Sequence, residues 1–286
     1  MENTNLDNKV CLITGANSGI GKATAIELAE RGAYIVMLCR NEKKAEQARE
    51  EIINKTGQTG IEILLADLAV QHDIRNAAQT FLNTFDQLDL LVNNAGIIAS
   101  GRQETVDGIE KTLAVNHLAP FLLTHLLMDS LKAAPSARVI NVSSEAHRTA
   151  AHAFDLNNLQ LKEGFSPMKA YGVSKLCNIM FTHELAKRTL GTPVTTNALH
   201  PGVVRSRLTS EASWFMYLLF AIGRPFMKSP QKGAETTVYL ATSPKVENTS
   251  GKYFKNKKET QPADIAYNDE LTEKLWEISC QLTGIE

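Results

Sequence analysis

"TGANSGIGKAT", residues Thr14 to Thr24, follows the apolar run "VCLI" and carries three glycines, a lysine and two threonines. Such a loop holds the phosphates either of a nucleoside triphosphate or of a dinucleotide, and the two lead to different chemistry. A triphosphate loop needs G-x-x-x-x-G-K-[ST]. Aligned on Gly21 and Lys22, the chain has Ala16 in place of the first glycine and Ala23 in place of the metal-binding hydroxyl. Two of four fixed positions fail, so the triphosphate reading is set aside. Gly15, Gly19 and Gly21 instead give T-G-x-x-x-G-x-G between an apolar strand and a helix. There Gly15 permits the tight turn, Gly19 lets a pyrophosphate approach the backbone, and Gly21 allows close helix–strand packing. Taken alone, the motif has a plain glycine-rich turn as its lesser alternative.

Outward from that loop, short β-branched runs alternate with helical stretches. "KVCLITG", "AYIVMLCR", "IEILLADL", "LDLLVNNAG", "ARVINVSS" and "PVTTNALHPG" read as strands. Residues 21–30, 42–56, 73–85, 171–189 and a long stretch near 116–132 read as helices, and "NDELTEKLWEISCQL" as an amphipathic helix packed on the domain. Apolar strands alternating with helices predict an α/β fold, a parallel sheet covered on both faces. Ligands bind such sheets beyond the C-terminal strand ends. Thr14-Gly15, Arg40, Asp67, Asn93, Ser143-Ser144 and His200-Pro201-Gly202 all fall there. No composition break divides the chain, so one domain over residues 1–286 is expected.

Composition narrows the partners. The 286 residues carry a net charge of −1, which gives no reason to expect nucleic acid. Cys11, Cys39, Cys177 and Cys280 form no CxxC pair and suit a reducing, cytoplasmic setting. The polar start "MENTNLDNKV" lacks the apolar core of a signal peptide. The longest apolar run, "WFMYLLFAIG", is about half the length needed to span a bilayer, so no transmembrane segment is expected. Seven histidines show no HxxxH or HExxH spacing, and no metal is expected.

Tyr171 and Lys175 in "YGVSK" stand at i and i+4 on one helical face. With the glycine loop, "NNAG" (Asn93 to Gly96), Asn116, "NVSS" (Asn141 to Ser144) and "HPG" (His200 to Gly202), this set resembles the short-chain dehydrogenase/reductase family over nearly the whole chain. "INVSSEAH", "LCRN" and "TEKLWEIS" look most like its retinol dehydrogenase branch. The resemblance implies a single Rossmann-type doubly wound parallel sheet and a hydride transfer between nicotinamide and a carbonyl or alcohol.

It also implies roles. Tyr171 would be the general acid or base, with Lys175 and the oxidised nicotinamide lowering a phenol that ordinarily titrates near pH ~10. Ser144 would stabilise negative charge on the substrate oxygen. Successive strand residues face opposite ways, so only one of Ser143 and Ser144 can face the site. The family pattern favours Ser144, although the long segment between it and Tyr171 blurs the alignment. Asn116 would complete the tetrad through a relay water, or serve merely as a helical polar residue. Gly15, Asn17, Ser18, Gly19, Ile20, Gly21, Asp67, Leu68, Asn93, Ala95, Gly96, Pro201, Gly202 and Val204 would line the cofactor site, together with Tyr171 and Lys175. Asn93 could instead be architectural.

At the end of the second strand, where NAD-binding members place an acid, stand Cys39 and Arg40. A carboxylate would repel a 2′-phosphate, whereas arginine can bind it bidentately, which predicts NADP(H). Lys43 or Lys44 could assist. The segment "SRLTSEASWFMYLLFAIGRPFMKS", within about 205–230, is expected to form an apolar lid over a lipophilic aldehyde, ketone or alcohol such as retinal. A core or dimer helix, or a membrane-surface contact, are the other readings of that segment. The alternatives for function are a steroid or other ring-carbonyl reductase and a non-enzymatic NADP-sensing scaffold. Homodimerisation is possible. The lysines of "KYFKNKK" (Lys252 to Lys258) read as a solvated loop.

Overall fold

The structure, a computed structural model, describes residues 5–204 and 227–285. Among these, the strands are β1 (Val10–Thr14), β2 (Tyr34–Cys39), β3 (Ile61–Leu65), β4 (Leu90–Asn93), β5 (Ala137–Val142), β6 (Val194–His200), β7 (Lys252–Lys255) and β8 (Lys258–Glu259). They form one sheet in the order β3-β2-β1-β4-β5-β6-β7-β8. Every pair is parallel except β7–β8. The order reverses between β1 and β4, and such a switch point opens a crevice beyond the strand ends.

Helices cover both faces. Helices α1 (Gly19–Ala29) and α2 (Glu42–Thr56) pack Ala25, Leu28, Ala45 and Ile52 against Cys11, Ile13, Ile35 and Met37 on one face. On the other, α3 (Gln71–Thr84) contributes Phe81, and Phe121, Phe181 and Trp276 come from helices further along the chain. This double coverage explains the unbroken apolar strands, since both faces of each central strand are removed from water.

Asn116 does not lie in one continuous helix. The chain runs as α4 (Lys111–Leu113), a π-helical turn (Ala114–Leu118), α5 (Ala119–Leu126) and α6 (Met128–Ala133). Pro120 has no N–H to donate to the carbonyl four residues back, which belongs to Asn116. The backbone therefore widens there, and Asn116 sits in the wide turn, fully buried.

After β5 come the short α7 (His147–Ala151) and the long α8 (Pro167–Arg188). Helix α8 begins four residues before Tyr171, because Ser166 accepts from the Lys169 N–H and Pro167 occupies the first turn. Two α-helices follow β6 among the described residues, α9 (Pro230–Thr242) and α10 (Asp269–Thr283). The first of these was not anticipated from the sequence. Asn268 caps α10 through the Leu271 N–H, and Trp276 packs on Phe121 at 5.0 Å between ring centroids.

"KYFKNKK" is not a solvated loop. Tyr253 and Phe254 are buried in β7, which extends the sheet beside β6, while Asn256 and Lys257 turn the chain into β8 with φ of 51° and 63°. Paired positive φ values make the tight turn whose twist suits a hairpin. Four lysines masked a strand with only two apolar residues. Most of the expected lid lies at residues 205–226, outside the described residues. No helix among the described residues is long and apolar enough to cross a membrane.

Candidate active site

The glycine turn between β1 and α1 is built by close backbone contact. Gly15 and Gly19 have φ of +68° and +54°, a region that favours glycine. A Cβ on Gly21 would lie 2.5 Å from the Gly15 carbonyl oxygen. The Thr14 hydroxyl accepts from the N–H groups of Asn94 and Ala95, both at 2.9 Å, and Asn94 Nδ2 donates to the Thr14 carbonyl at 2.8 Å. "NNAG" is thereby clamped onto the glycine turn. Thr14 was placed at the strand ends and Asn94 within "NNAG", but neither was expected to line the cofactor site; the available signal was the threonine before Gly15 and a second asparagine directly after β4.

Helix α1 presents an open N-terminus. Ser18 stands at its N-cap without a side-chain capping bond, and the first turn holds no acid. By contrast, α2, α8, α9 and α10 are capped by Asn41, Ser166, Ser229 and Asn268. Uncapped N–H groups and the helix dipole make α1 receptive to an anionic group. Asn17 and Ala16 turn backbone N–H groups onto the sulfur of Cys39, so Cys39 lies beneath the loop, nearly fully buried. Ile20 packs with Ala23, Ala234 and Val238, and Val204 fills the space beside Gly233, whose added Cβ would lie 2.6 Å from it. Pro201 and Gly202 follow β6, and Gly202 (φ +94°) lies under the Lys228 side chain.

At the ends of β2 and β3, Arg40 faces Asp67 across 3.6 Å, with the arginine side chain 58% exposed. Asp67 also accepts from the Ala69 N–H at 3.0 Å. Leu68 beside it packs on the core. Asn93 points elsewhere. Its Nδ2 donates to Asn141 at 2.9 Å and to Thr124 at 3.2 Å, and the residue is 1% exposed. The Asn93 side chain therefore belongs to an interior network that continues from Asn141 to Thr182. Of the two expectations for it, the geometry matches the architectural one.

From Gly96 the line of contacts continues into the proposed reaction centre. A Cβ on Gly96 would meet Asn116 Oδ1 and Lys175 Nζ, each at 3.3 Å. Asn116 accepts from the Ile97 N–H at 2.8 Å and donates Nδ2 to the Ile97 carbonyl and to Ser174, both at 3.0 Å. Lys175 Nζ lies 5.7 Å from the centre of the Tyr171 ring and donates to the Val142 carbonyl at 2.8 Å. The two serines diverge. Ser143 is buried and donates to the Lys175 carbonyl at 2.7 Å, while the Ser144 hydroxyl meets the Tyr171 phenol. Gly172 brings Tyr171 to Ser144, because a Cβ there would come within 2.8 Å of the Ala146 carbonyl. An unbroken series thus runs from the open end of α1 through Gly15, Ala95 and Gly96 to Lys175, Tyr171 and Ser144. Its glycines, where a Cβ would meet backbone or site side chains, fit the close approach of a dinucleotide.

The chain's own groups set the starting electrostatics of Tyr171. Burial pushes Tyr171 up to about 12, against the opposing hydrogen bond of Ser144. Lys175, itself pushed down to about 8 by burial, does not reverse this. These groups by themselves favour the neutral phenol. Both shifts have the sign of desolvation, which penalises the charged form of each group.

Around Ser144 the polar groups are tightly paired. Burial works against the Glu145 carboxylate, but Tyr253, Lys255 and Arg148 outweigh it and hold it down to about 2. Burial lowers His200 and, in the π-helical turn, His117, each to about 4, and lowers His147 too. Each of these histidines titrates lower in the folded chain than in the unfolded one. The contribution of each to stability is whole above pH ~6.5 and falls as pH drops, for His200 and His117 through about 4. For His117, fully buried, the loss between pH 7 and pH 5 is about 2 kcal/mol. Urea unfolding at those two pH values checks this, and an unchanged unfolding free energy would contradict it. Among the described residues no group of His, Cys, Asp or Glu is arranged to hold a metal ion.

Comparison with known proteins places this geometry. The family model described as short chain dehydrogenase matches residues 9–156. Retinol dehydrogenase 12 of Homo sapiens is 45% identical over 283 residues, covering 99% of this chain and 89% of that protein. A solved structure of an uncharacterised protein from Mycobacterium paratuberculosis superposes with a TM-score of 0.80 at 30% identity, covering 99% of this chain and 96% of that one. A protein from Beutenbergia cavernae, described as an NAD(P)-dependent gluconate 5-dehydrogenase and solved with NADP at low occupancy, gives 0.70 at 26% identity, covering 87% and 95%.

Proposed function

Since the chain belongs to the short-chain dehydrogenase family and is an oxidoreductase acting on CH–OH or C=O groups, we propose that it is NADP(H)-dependent and that its substrates are lipophilic aldehydes, ketones or the corresponding alcohols. The observation that carries the reading is the meeting of Ser144 and Tyr171 one helical turn from Lys175. We place the whole of residues 1–286 in one such domain, in a reducing compartment such as the cytosol.

When bound, a nicotinamide dinucleotide supplies or accepts the hydride. Its residues in this chain would be Gly15, Asn17, Ser18, Gly19, Ile20 and Gly21 for the diphosphate. Arg40, Asp67 and Leu68 would hold the adenosine end. Ala95, Gly96, Lys175, Pro201, Gly202 and Val204 would hold the nicotinamide end. The Ser144 hydroxyl donates a hydrogen bond to the substrate oxygen and stabilises charge that develops there. Tyr171 gives its proton to that oxygen in reduction and takes it back in oxidation. Lys175, cationic near neutral pH, favours the phenolate that remains. The fully buried Asn116 keeps the loop after Gly96 in place through its paired bonds with Ile97.

The apolar substrate rests on two supports. The 45%-identical human relative is named a retinol dehydrogenase, and the segment at 205–230 is rich in Trp, Phe, Met, Tyr and Leu. Absorbance at 340 nm, with NADPH and then NADH, tests the reading against all-trans-retinal, a long-chain aldehyde, a steroid ketone and a quinone. Turnover of the apolar carbonyls with NADPH is expected. Tight NADPH binding without turnover of any of them would indicate a sensor.

Arg40 is the expected source of the cofactor preference. Arg40→Ala should weaken NADPH roughly 10- to 100-fold while barely affecting NADH, since a charge-assisted bond is worth about 1.5–3 kcal/mol. Equal loss for both cofactors would remove Arg40 from the 2′-phosphate.

A further inference from the structure

The residues after Ser144 contain a histidine whose two ring nitrogens are both committed. His147 is fully buried at the start of α7. The Ala263 N–H donates to its Nε2 at 3.1 Å. A backbone N–H can only donate, so Nε2 is the unprotonated nitrogen and the proton resides on Nδ1. That Nδ1–H faces the Ser144 carbonyl at 2.7 Å and donates to it. The ring is held from the side by Tyr253, 5.1 Å between centroids at 69°. The Tyr253 hydroxyl donates to Glu145 at 2.8 Å, and the Glu145 N–H donates to His200 Nδ1 at 3.3 Å. The peptide bearing Ser144 is thus held on both sides by groups from β6, β7 and the segment before α10.

Ser144 leaves β5 with its hydroxyl accepting from the Ala146 N–H at 3.2 Å, so the hydroxyl proton remains for a partner in the site. A rotation of the Ser144 peptide would redirect that proton. We propose that His147 is a positioning residue, which through its Nδ1–H bond to the Ser144 carbonyl aims the Ser144 hydroxyl at the substrate oxygen, with the C-terminal segment at Ala263 selecting the tautomer able to do so. The inference rests on the reading of Ser144 given above. A neighbouring peptide that sets the tautomer of a histidine is an outer-layer device of the kind that supports precise sites.

Amide side chains separate the two bonds of the ring. In His147→Asn the amide nitrogen occupies the place of Nδ1 and can still donate to Ser144. In His147→Gln the amide reaches the place of Nε2 and can still accept from Ala263, but the donor to Ser144 is lost. With NADPH and all-trans-retinal, kcat should stay within about 3-fold of the parent in His147→Asn and fall about 10- to 100-fold in His147→Gln and His147→Ala, as misaimed catalytic groups do. KM for NADPH should not change in any of them. Equal kcat losses in all three variants, tracking their melting temperatures, would reduce His147 to a structural residue and overturn the inference, as would undiminished kcat in His147→Gln. Ser144→Ala run alongside distinguishes the two levels. Full turnover there sinks the reading of Ser144 itself, whereas loss there with normal His147→Gln sinks only the inference. Nitrogen-15 NMR of the NADPH-bound chain tests the same arrangement without turnover. The Nδ1–H tautomer is expected for His147, and an Nε2–H tautomer overturns the inference.

Discussion

Tyr171→Phe is expected to lower kcat by about 10²–10⁴-fold, the range for loss of a positioned general acid or base, or about 3–5.5 kcal/mol of barrier. The substitution removes one oxygen from a ring that is 8% exposed, so the packing of α8 is unchanged. Ser144 keeps the Ala146 N–H as a partner, and Lys175 keeps the Val142 carbonyl. NADPH affinity and melting temperature should therefore stay close to those of the parent chain. What disappears is the proton that burial retains on the phenol up to about pH 12. Stopped absorbance assays with the carbonyl panel decide the matter. A variant retaining more than a tenth of the parent kcat would remove Tyr171 from the chemistry.

Gly21→Ala is the second large effect. The added carbon would sit 2.5 Å from the Gly15 carbonyl oxygen and 2.6 Å from Asn94 Nδ2. The first of these is backbone, and it cannot retreat freely, because the Gly15 N–H is bonded to the Leu38 carbonyl at 2.8 Å. Relief requires α1 to lift from the glycine turn, at about 1–3 kcal/mol of overpacking strain. If the strain is expressed in the bound state, NADPH affinity falls about 5- to 150-fold, at 1.4 kcal/mol per factor of ten. Gly57→Ala is the control. Gly57 also has positive φ, +73°, but a Cβ there meets nothing within 4 Å. It should cost about 1 kcal/mol in unfolding free energy, from backbone conformation alone, with no effect on the cofactor. Urea unfolding and NADPH fluorescence titration of both variants give the comparison. Equal NADPH affinity in the two would show that the Gly21–Gly15 contact does not shape the site.

Features written in a few adjacent residues could be read directly. Helix α2 runs over Glu42–Thr56 as expected, from Asn41, whose side chain caps it, to Gly57, whose positive φ ends it. The first six strands, β1 to β6, lie where β-branched runs predict, and Tyr171 and Lys175 share a face because helical spacing fixes that without any partner. The failed triphosphate pattern was likewise a matter of residue identity at fixed offsets. In this way the sequence alone determined the βα rhythm, the address of the site at the strand ends and the type of loop that begins it.

Tertiary structure alone decided which side chains reach that address. Ser143 and Ser144 are neighbours, and only the position of Lys175 and Tyr171, about 30 residues on, turns one into the core and the other toward the site. Asn93 looked like a lining residue until Asn141 and Thr124 claimed its amide. The lysine-rich run at Lys252–Lys255 became a strand because β6 offered an edge and the interior offered room for Tyr253. Nothing within "EAHRT" indicates that His147 has a partner at Ala263. Propensity and periodicity act over one turn or one strand, so local sequence carries them. The direction of a side chain, and the state of its protons, depend on groups brought together by strand register and helix packing, and those form only when the whole sheet closes.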